Sequence, residues 1–213
     1  MAGTSDGLTE RKEQVTVDKM IEQEIFSTFI LEDNLNLNIE EMNKFAYKLK
    51  KENNKTKMTS SSQGGSHSDH LDLEEPVLQP LIKAITEISL IYFKKLNIKE
   101  KHGLAINNMW FIINKENSYN KPHTHPFSFL SGAFYSKATK NSGDIVFMNP
   151  NPKLEAYWHD GAYVGWNKYQ SDINTRQSLT NKIILFPSWL EHYVTPNQTK
   201  EDRIVWSFNL QLI

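Results

Sequence analysis

The 213-residue sequence contains no cysteine. Disulfides, thiolate nucleophiles and cysteine metal ligands are therefore excluded, and any bound metal must take nitrogen and oxygen donors. No apolar run approaches the roughly 20 residues that a membrane-spanning helix needs, and the polar stretch Met1 to Lys19 has no signal-peptide core. We accordingly expect a soluble, cytoplasmic protein. Neither charge sign is in surplus: 24 Lys plus Arg oppose 25 Asp plus Glu, for a formal net charge of −1. That balance gives no sequence-wide attraction to nucleic acid or anionic lipid, and leaves only a local basic patch open. Missing too are a phosphate-cradling glycine loop, a nucleophile elbow around Ser188 and any repeat at solenoid periods, which counts against nucleotide-triphosphate, serine-hydrolase and solenoid readings.

What is present suits one domain, since 38% hydrophobic residues suffice for a core at this length. We read residues 1–20 as a loose arm, 21–100 as an N-terminal strand with supporting helices, and 101–213 as a β core. Glu24 to Leu31 is rich in β-branched and aromatic residues and predicts a strand. Asn38 and Glu41 resemble a capping box ahead of Ile39, Met42, Phe45 and Leu49, so one helix should run to about Lys50. Glu52 to Asp72 reads as a polar loop turning at Gly64-Gly65. Pro76 and Pro80 suit the first turn of a second helix, whose face carries Leu78, Leu81, Ile82, Ile85, Tyr92 and Leu96. From Leu104 the pattern changes to short strands: Leu104 to Ile113, Phe127 to Tyr135, Asp144 to Met148, Lys182 to Phe186, Tyr193 to Thr195 and Arg203 to Leu212. This spacing predicts a mainly β fold with N-terminal helices, a sandwich or jelly roll. The aromatic stretch 157–169 is a further hairpin or a lid.

Chemistry concentrates at histidines. His123 and His125 stand two apart, a spacing that lets an extended chain aim both rings to one side. About one chain in four of this composition would hold such a pair by chance, so the pair alone decides nothing. The last strand adds more. Ile204, Trp206, Phe208 and Leu210 share one face and read as core; Arg203, Val205, Ser207 and Asn209 share the other, which lacks the Lys and Glu of a plain solvated face. Arg203 there offers a planar fork for a carboxylate. His192, just after Phe186-Pro187-Ser188-Trp189, lies close enough in the chain for an antiparallel pair of strands to bring it to the same cavity. A histidine from a distant strand is how a sandwich closes a three-donor metal site. His67 and His70 read as solvated loop residues; His102 and His159 have no partner at a ligand spacing.

From about Met109 to the C-terminus, the segments KPHTHPFSFLSGAFY, NSGDIVFMNP, FPSWLEHYVTPN and DRIVWSFN resemble, in order and spacing, the 2-oxoglutarate and Fe(II)-dependent oxygenases. The likeness is to a prolyl-hydroxylase-like group of bacterial and phage proteins with an HxHP motif. It implies a double-stranded β-helix core and a cofactor set of Fe(II), 2-oxoglutarate and O2. By position it makes His123 and His192 metal ligands, Arg203 the partner of the co-substrate's C5 carboxylate, and Tyr135 a hydrogen-bond donor to the co-substrate, with Ser207 or Asn209 able to assist. Most of the superfamily has Asp or Glu where this chain has His125, so the resemblance implies a three-histidine site, with Asp144 and Asp160 as lesser candidates for the third bond.

The implied reaction is oxidative decarboxylation of 2-oxoglutarate to succinate and CO2, coupled to C–H hydroxylation of a small-molecule, peptide or protein substrate, a prolyl residue being one. The sequence leaves a homodimer open. Two other readings stay open: a cupin-like three-histidine dioxygenase that does not use 2-oxoglutarate, and a non-catalytic binding module whose histidines hold a structural Zn(II) or nothing.

Overall fold

The computed structural model describes residues 21, 23–52, 61–151, 165, 167–169 and 171–213. The arm at residues 1–20 and most of the aromatic stretch 157–169, with Trp158, His159, Asp160, Tyr163 and Trp166, lie outside them.

Two antiparallel sheets pack face to face. The larger takes β1 (Leu31–Asn34), β3 (Ser66–His67), β4 (Leu104–Asn114), β6 (Leu130–Lys137), β9 (Lys182–Pro187) and β11 (Arg203–Leu212), in the order β1-β9-β6-β11-β4-β3. The smaller takes β2 (Ser62–Gln63), β5 (Tyr119–His123), β7 (Ile145–Met148), β8 (Ile173–Arg176) and β10 (His192–Val194), in the order β2-β5-β10-β7-β8. Their crossing order is that of a jelly roll, the double-stranded β-helix expected from the sequence.

Helices α1 (Ile39–Glu52) and α2 (Gln79–Lys95) cover the outer face of the larger sheet. Asn38 caps α1 as anticipated: its Oδ1 accepts the Glu41 backbone N–H at 3.3 Å while its amide reaches the Glu41 carboxylate. A 3₁₀ turn at Pro76–Leu78 leads into α2. Ile204, Trp206, Phe208 and Leu210 of β11 are almost wholly buried against Met42, Ala46, Leu81, Ile85 and Tyr92. The other face of the sheet carries a second apolar cluster, including Ile112, Tyr135, Ile184, Phe186 and Val205, toward the smaller sheet.

Three expectations change. No strand forms over Glu24 to Ile30; β1 starts at Leu31. Phe29 of that stretch serves packing instead, stacked on Tyr92 of α2 at 4.2 Å with its carbonyl accepting the Tyr92 hydroxyl, whereas Phe26 is exposed. The polar run 52–72 is not all loop. Its residues 62–67 supply β2 and β3, which pair with β5 in one sheet and β4 in the other, so Gly64-Gly65 joins the two sheets covalently along one edge. At the other edge Arg176 of β8 meets Glu32 of β1, Nε to Oε1, at 3.3 Å. Finally, β6 begins at Leu130, and Phe127 stands outside it, 96% exposed.

Because neighbours on β11 face opposite ways, substitutions there should separate sharply. Phe208→Ala should lower unfolding stability by about 3–5 kcal/mol through an unfilled core cavity, whereas Ser207→Ala should change it by less than about 1 kcal/mol. Urea denaturation of the two variants measures both, and similar losses would contradict the assignment of faces.

Candidate metal centre

The register of the larger sheet sets the inner wall. On β11, Arg203, Val205, Ser207 and Asn209 pair across with Asn114, Ile112, Trp110 and Asn108 of β4, so all eight point to one side. On the other flank Val205, Ser207 and Asn209 pair with Tyr135, Ala133 and Ser131 of β6. Between this wall and the smaller sheet lies a chamber of about 320 Å³. It is lined by His123, His125, His192, Arg203, Tyr135, Ser207 and Asn209 together with Trp110, Ile112, Ile145, Phe186 and Val205.

His123 ends β5 and His192 begins β10, and the two are direct cross-strand partners, with ring centroids 4.4 Å apart. His125 lies beyond the strand. Its backbone N–H donates to the Ser188 carbonyl at 2.9 Å, which folds the chain back and brings its ring 5.2 Å from each of the other two. One nitrogen from each of the three lies within 4.8 Å of the others, a grouping able to hold a metal ion. Among the described residues no carboxylate joins this cluster.

Each Nδ1 is already engaged: with the Lys121 carbonyl at 2.7 Å for His123, the Asn209 side-chain oxygen at 2.6 Å for His125, and the Leu190 carbonyl at 2.9 Å for His192. All three acceptors are oxygens, so the proton belongs on Nδ1 and the lone pair on Nε2. The His125 Nε2 is buried with no partner among the described residues. Burial pushes His192 down to about 3 and His125 to about 4, and holds His123 below its ordinary value. At neutral pH these are three uncharged imidazoles with free lone pairs, which is what a divalent ion such as Fe(II) requires.

Arg203 is wholly buried. Its Nη1 donates to the carbonyls of Ser142 and Gly143 at 3.0 and 2.8 Å, while Nε and Nη2 have no partner among the described residues. Gly143, at φ +98°, is what lets the guanidinium in, since a Cβ there would overlap Nη1. Burial lowers the Arg203 pKa, and only the more distant Tyr135 and Asp144 oppose that shift. Tyr135 is held above the ordinary phenol value by burial, so its hydroxyl keeps its proton. A buried cation with two unsatisfied donors on such a chamber fits a ligand carboxylate.

The remaining candidates fall as follows. Ser207 and Asn209 line the chamber, but the Asn209 oxygen is committed to His125. Asp144 accepts the Ser178 N–H near Arg203, away from the histidine cluster, and Asp160 lies outside the described residues. His67, read from sequence as solvated, instead lines the chamber and stacks on Trp110 at 5.7 Å, and Trp110 stacks in turn on His125 at 5.9 Å. Trp110 and Asn108 were open to discovery, because applying the parity of β11 to Leu104–Ile113 places both on the chamber face. His67 carries no such signal.

Residues 108–209 match the family model described as "Putative 2OG-Fe(II) oxygenase". The fold is similar to that of a Pseudomonas putida prolyl-4-hydroxylase, with a TM-score of 0.60 and 10% identity over 87% of this chain and 93% of that one. It is similar also to the non-heme, alpha-ketoglutarate-dependent epimerase SnoN of nogalamycin biosynthesis, with a TM-score of 0.63 and 12% identity over 86% and 78% of the two chains. HygX of Streptomyces hygroscopicus, with nickel and 2-oxoglutarate bound, gives a TM-score of 0.55 and 10% identity over 86% and 83%. No curated protein matches the chain by sequence. Among the described residues no helix is long and apolar enough to cross a membrane.

The buried neutral histidines set a pH dependence. An unfolded chain protonates them near pH 6.5, the folded metal-free protein only near 4 for His125 and 3 for His192. Unfolded chains thus bind more protons in that window, and stability should fall as pH drops from about 6.5 toward 4. His192→Asn should make this fall shallower, as read from the Tm of metal-free protein at about pH 7 and about pH 5; parallel slopes would refute the burial of a neutral imidazole.

Proposed function

We propose that this chain, whose residues 108–209 match the model of a putative 2OG-Fe(II) oxygenase family, is a 2-oxoglutarate-dependent dioxygenase holding Fe(II) through His123, His125 and His192 and 2-oxoglutarate through Arg203. One observation carries the reading. A single chamber contains both three convergent neutral imidazoles and a buried guanidinium with two donors unpaired among the described residues.

When bound, Fe(II) supplies the reduction of O2, coupled to oxidative decarboxylation of 2-oxoglutarate to succinate and CO2 and to hydroxylation of a substrate C–H bond. The protein's own groups do the positioning. Three donors hold the ion and leave the rest of its coordination open to exogenous ligands. Arg203 orients the co-substrate by pairing Nε and Nη2 with its far carboxylate, and its two backbone acceptors fix the guanidinium before the ligand arrives. The Tyr135 hydroxyl, kept protonated by burial, donates to the same carboxylate. Ile112, Ile145, Phe186 and Val205 exclude water around this pair, which strengthens it. A prolyl residue in a peptide is the substrate to test first, on likeness of fold alone.

Purified protein given Fe(II), ascorbate, 2-oxoglutarate and O2 should release succinate and CO2. His192→Ala should abolish iron binding while the far-ultraviolet circular dichroism is retained. Arg203→Met should weaken 2-oxoglutarate binding by about 2–5 kcal/mol, because it removes a buried charge-assisted pair. Iron binding without turnover of 2-oxoglutarate would favour the three-histidine dioxygenase that does without it, and absence of iron binding would favour the non-catalytic module.

A further inference from the structure

His125 differs from the other two histidines in what holds its ring. His123 and His192 rest on backbone carbonyls, those of Lys121 and Leu190. Such acceptors exist whatever the side chain. The His125 Nδ1 instead meets a side chain, the Oδ1 of Asn209, at 2.6 Å. It is also the one histidine of the cluster outside a strand, so no ladder fixes its direction.

Asn209 is itself 7% exposed and restrained on both ends of its amide. Ser131 Oγ donates to its Oδ1 at 2.7 Å, and its Nδ2 donates to Asn108 Oδ1 at 2.9 Å. Ser188 completes the arrangement from the far side: its Oγ lies 2.7 Å from Ser131 Oγ, and its carbonyl accepts the His125 backbone N–H at 2.9 Å. Ring and backbone of His125 are thus tied into one buried network, and only its Nε2 is left without a partner among the described residues.

We infer that Asn209 is the positioning residue of the third metal donor: by accepting the Nδ1 proton of His125 it fixes the tautomer and aims Nε2 at the ion. The inference rests on the metal reading above. An acceptor on the far nitrogen raises the basicity of an imidazole ligand and holds its orientation. A carboxamide does so without adding negative charge. The third donor and its support are therefore both neutral, and among the described residues no carboxylate lines the chamber.

The test uses full-length protein and Co(II) alone, followed by its visible d–d spectrum and by the exchangeable, paramagnetically shifted N–H protons of the bound imidazoles. Asn209→Ala should weaken Co(II) binding about 10–100-fold, alter the spectrum, and cost one of the shifted N–H signals its protection from solvent. Asn209→Asp, which keeps an acceptor in place, should restore affinity to within a few-fold of the parent and shift that one signal alone. Asn108 can present its amide N–H to the new carboxylate, so this variant keeps the network and serves even if the alanine variant does not fold. Parent-like affinity and spectrum in Asn209→Ala, or an unshifted signal in Asn209→Asp, would overturn the inference while leaving the metal centre intact. Failure of the parent to bind Co(II) would remove the metal centre and the inference together.

Discussion

The two-residue alternation along β11 is the constraint from which the site follows. One strand buries Ile204, Trp206, Phe208 and Leu210 against the helices and turns Arg203, Val205, Ser207 and Asn209 inward to the chamber. A slip of one residue would exchange those sets, placing a guanidinium in the helix interface and a tryptophan in the chamber. The hydrophobic core thus enforces the register that the chemistry needs. Its energetic weight, several large side chains, is far greater than that of any polar contact in the site.

Electrostatics then distinguishes the two ends of the chamber. At one end, burial strips three imidazoles of their protons and leaves lone pairs facing a common point. At the other, burial works against Arg203, and among the described residues the guanidinium has two backbone carbonyls as its direct acceptors. Each end is thereby unsatisfied in the sense that a ligand would correct: the histidines lack a cation and the arginine lacks an anion. The proposed metal ion would answer the first condition, and a carboxylate beside Arg203 the second.

How much of this could be read in the sequence depends on how strongly local pattern and tertiary role coincide. Arg203 and the inner face of β11 were legible because Ile204, Trp206, Phe208 and Leu210 recur at every second position, with Arg203, Ser207 and Asn209 between them. The helices were legible because a capping pair and spaced apolar residues agree. β5 was not: its sequence, YNKPH, contains Pro122 and shows no apolar alternation, and its pairing comes from neighbours distant in the chain. β8 is polar and largely exposed, so no pattern marks it. The pairs Ser62–Gln63 and Ser66–His67 are too short to have a period, and for that reason His67 looked solvated. Over Glu24 to Ile30 no strand forms: Phe29 is taken up by packing on α2, and Phe26 faces solvent.

Both rims of the sandwich carry a covalent link between the sheets, and one of them carries an ion pair as well. Gly64-Gly65 runs as a spine between sheets at one side, while at the opposite side residues 177–181 carry the chain from β8 to β9 and Glu32 and Arg176 add a clasp that is partly open to solvent. Dissolved salt weakens the clasp and cannot touch the spine. High ionic strength therefore loosens that rim by one ion pair while leaving the covalent links of both rims, and with them the enclosure of the chamber, in place.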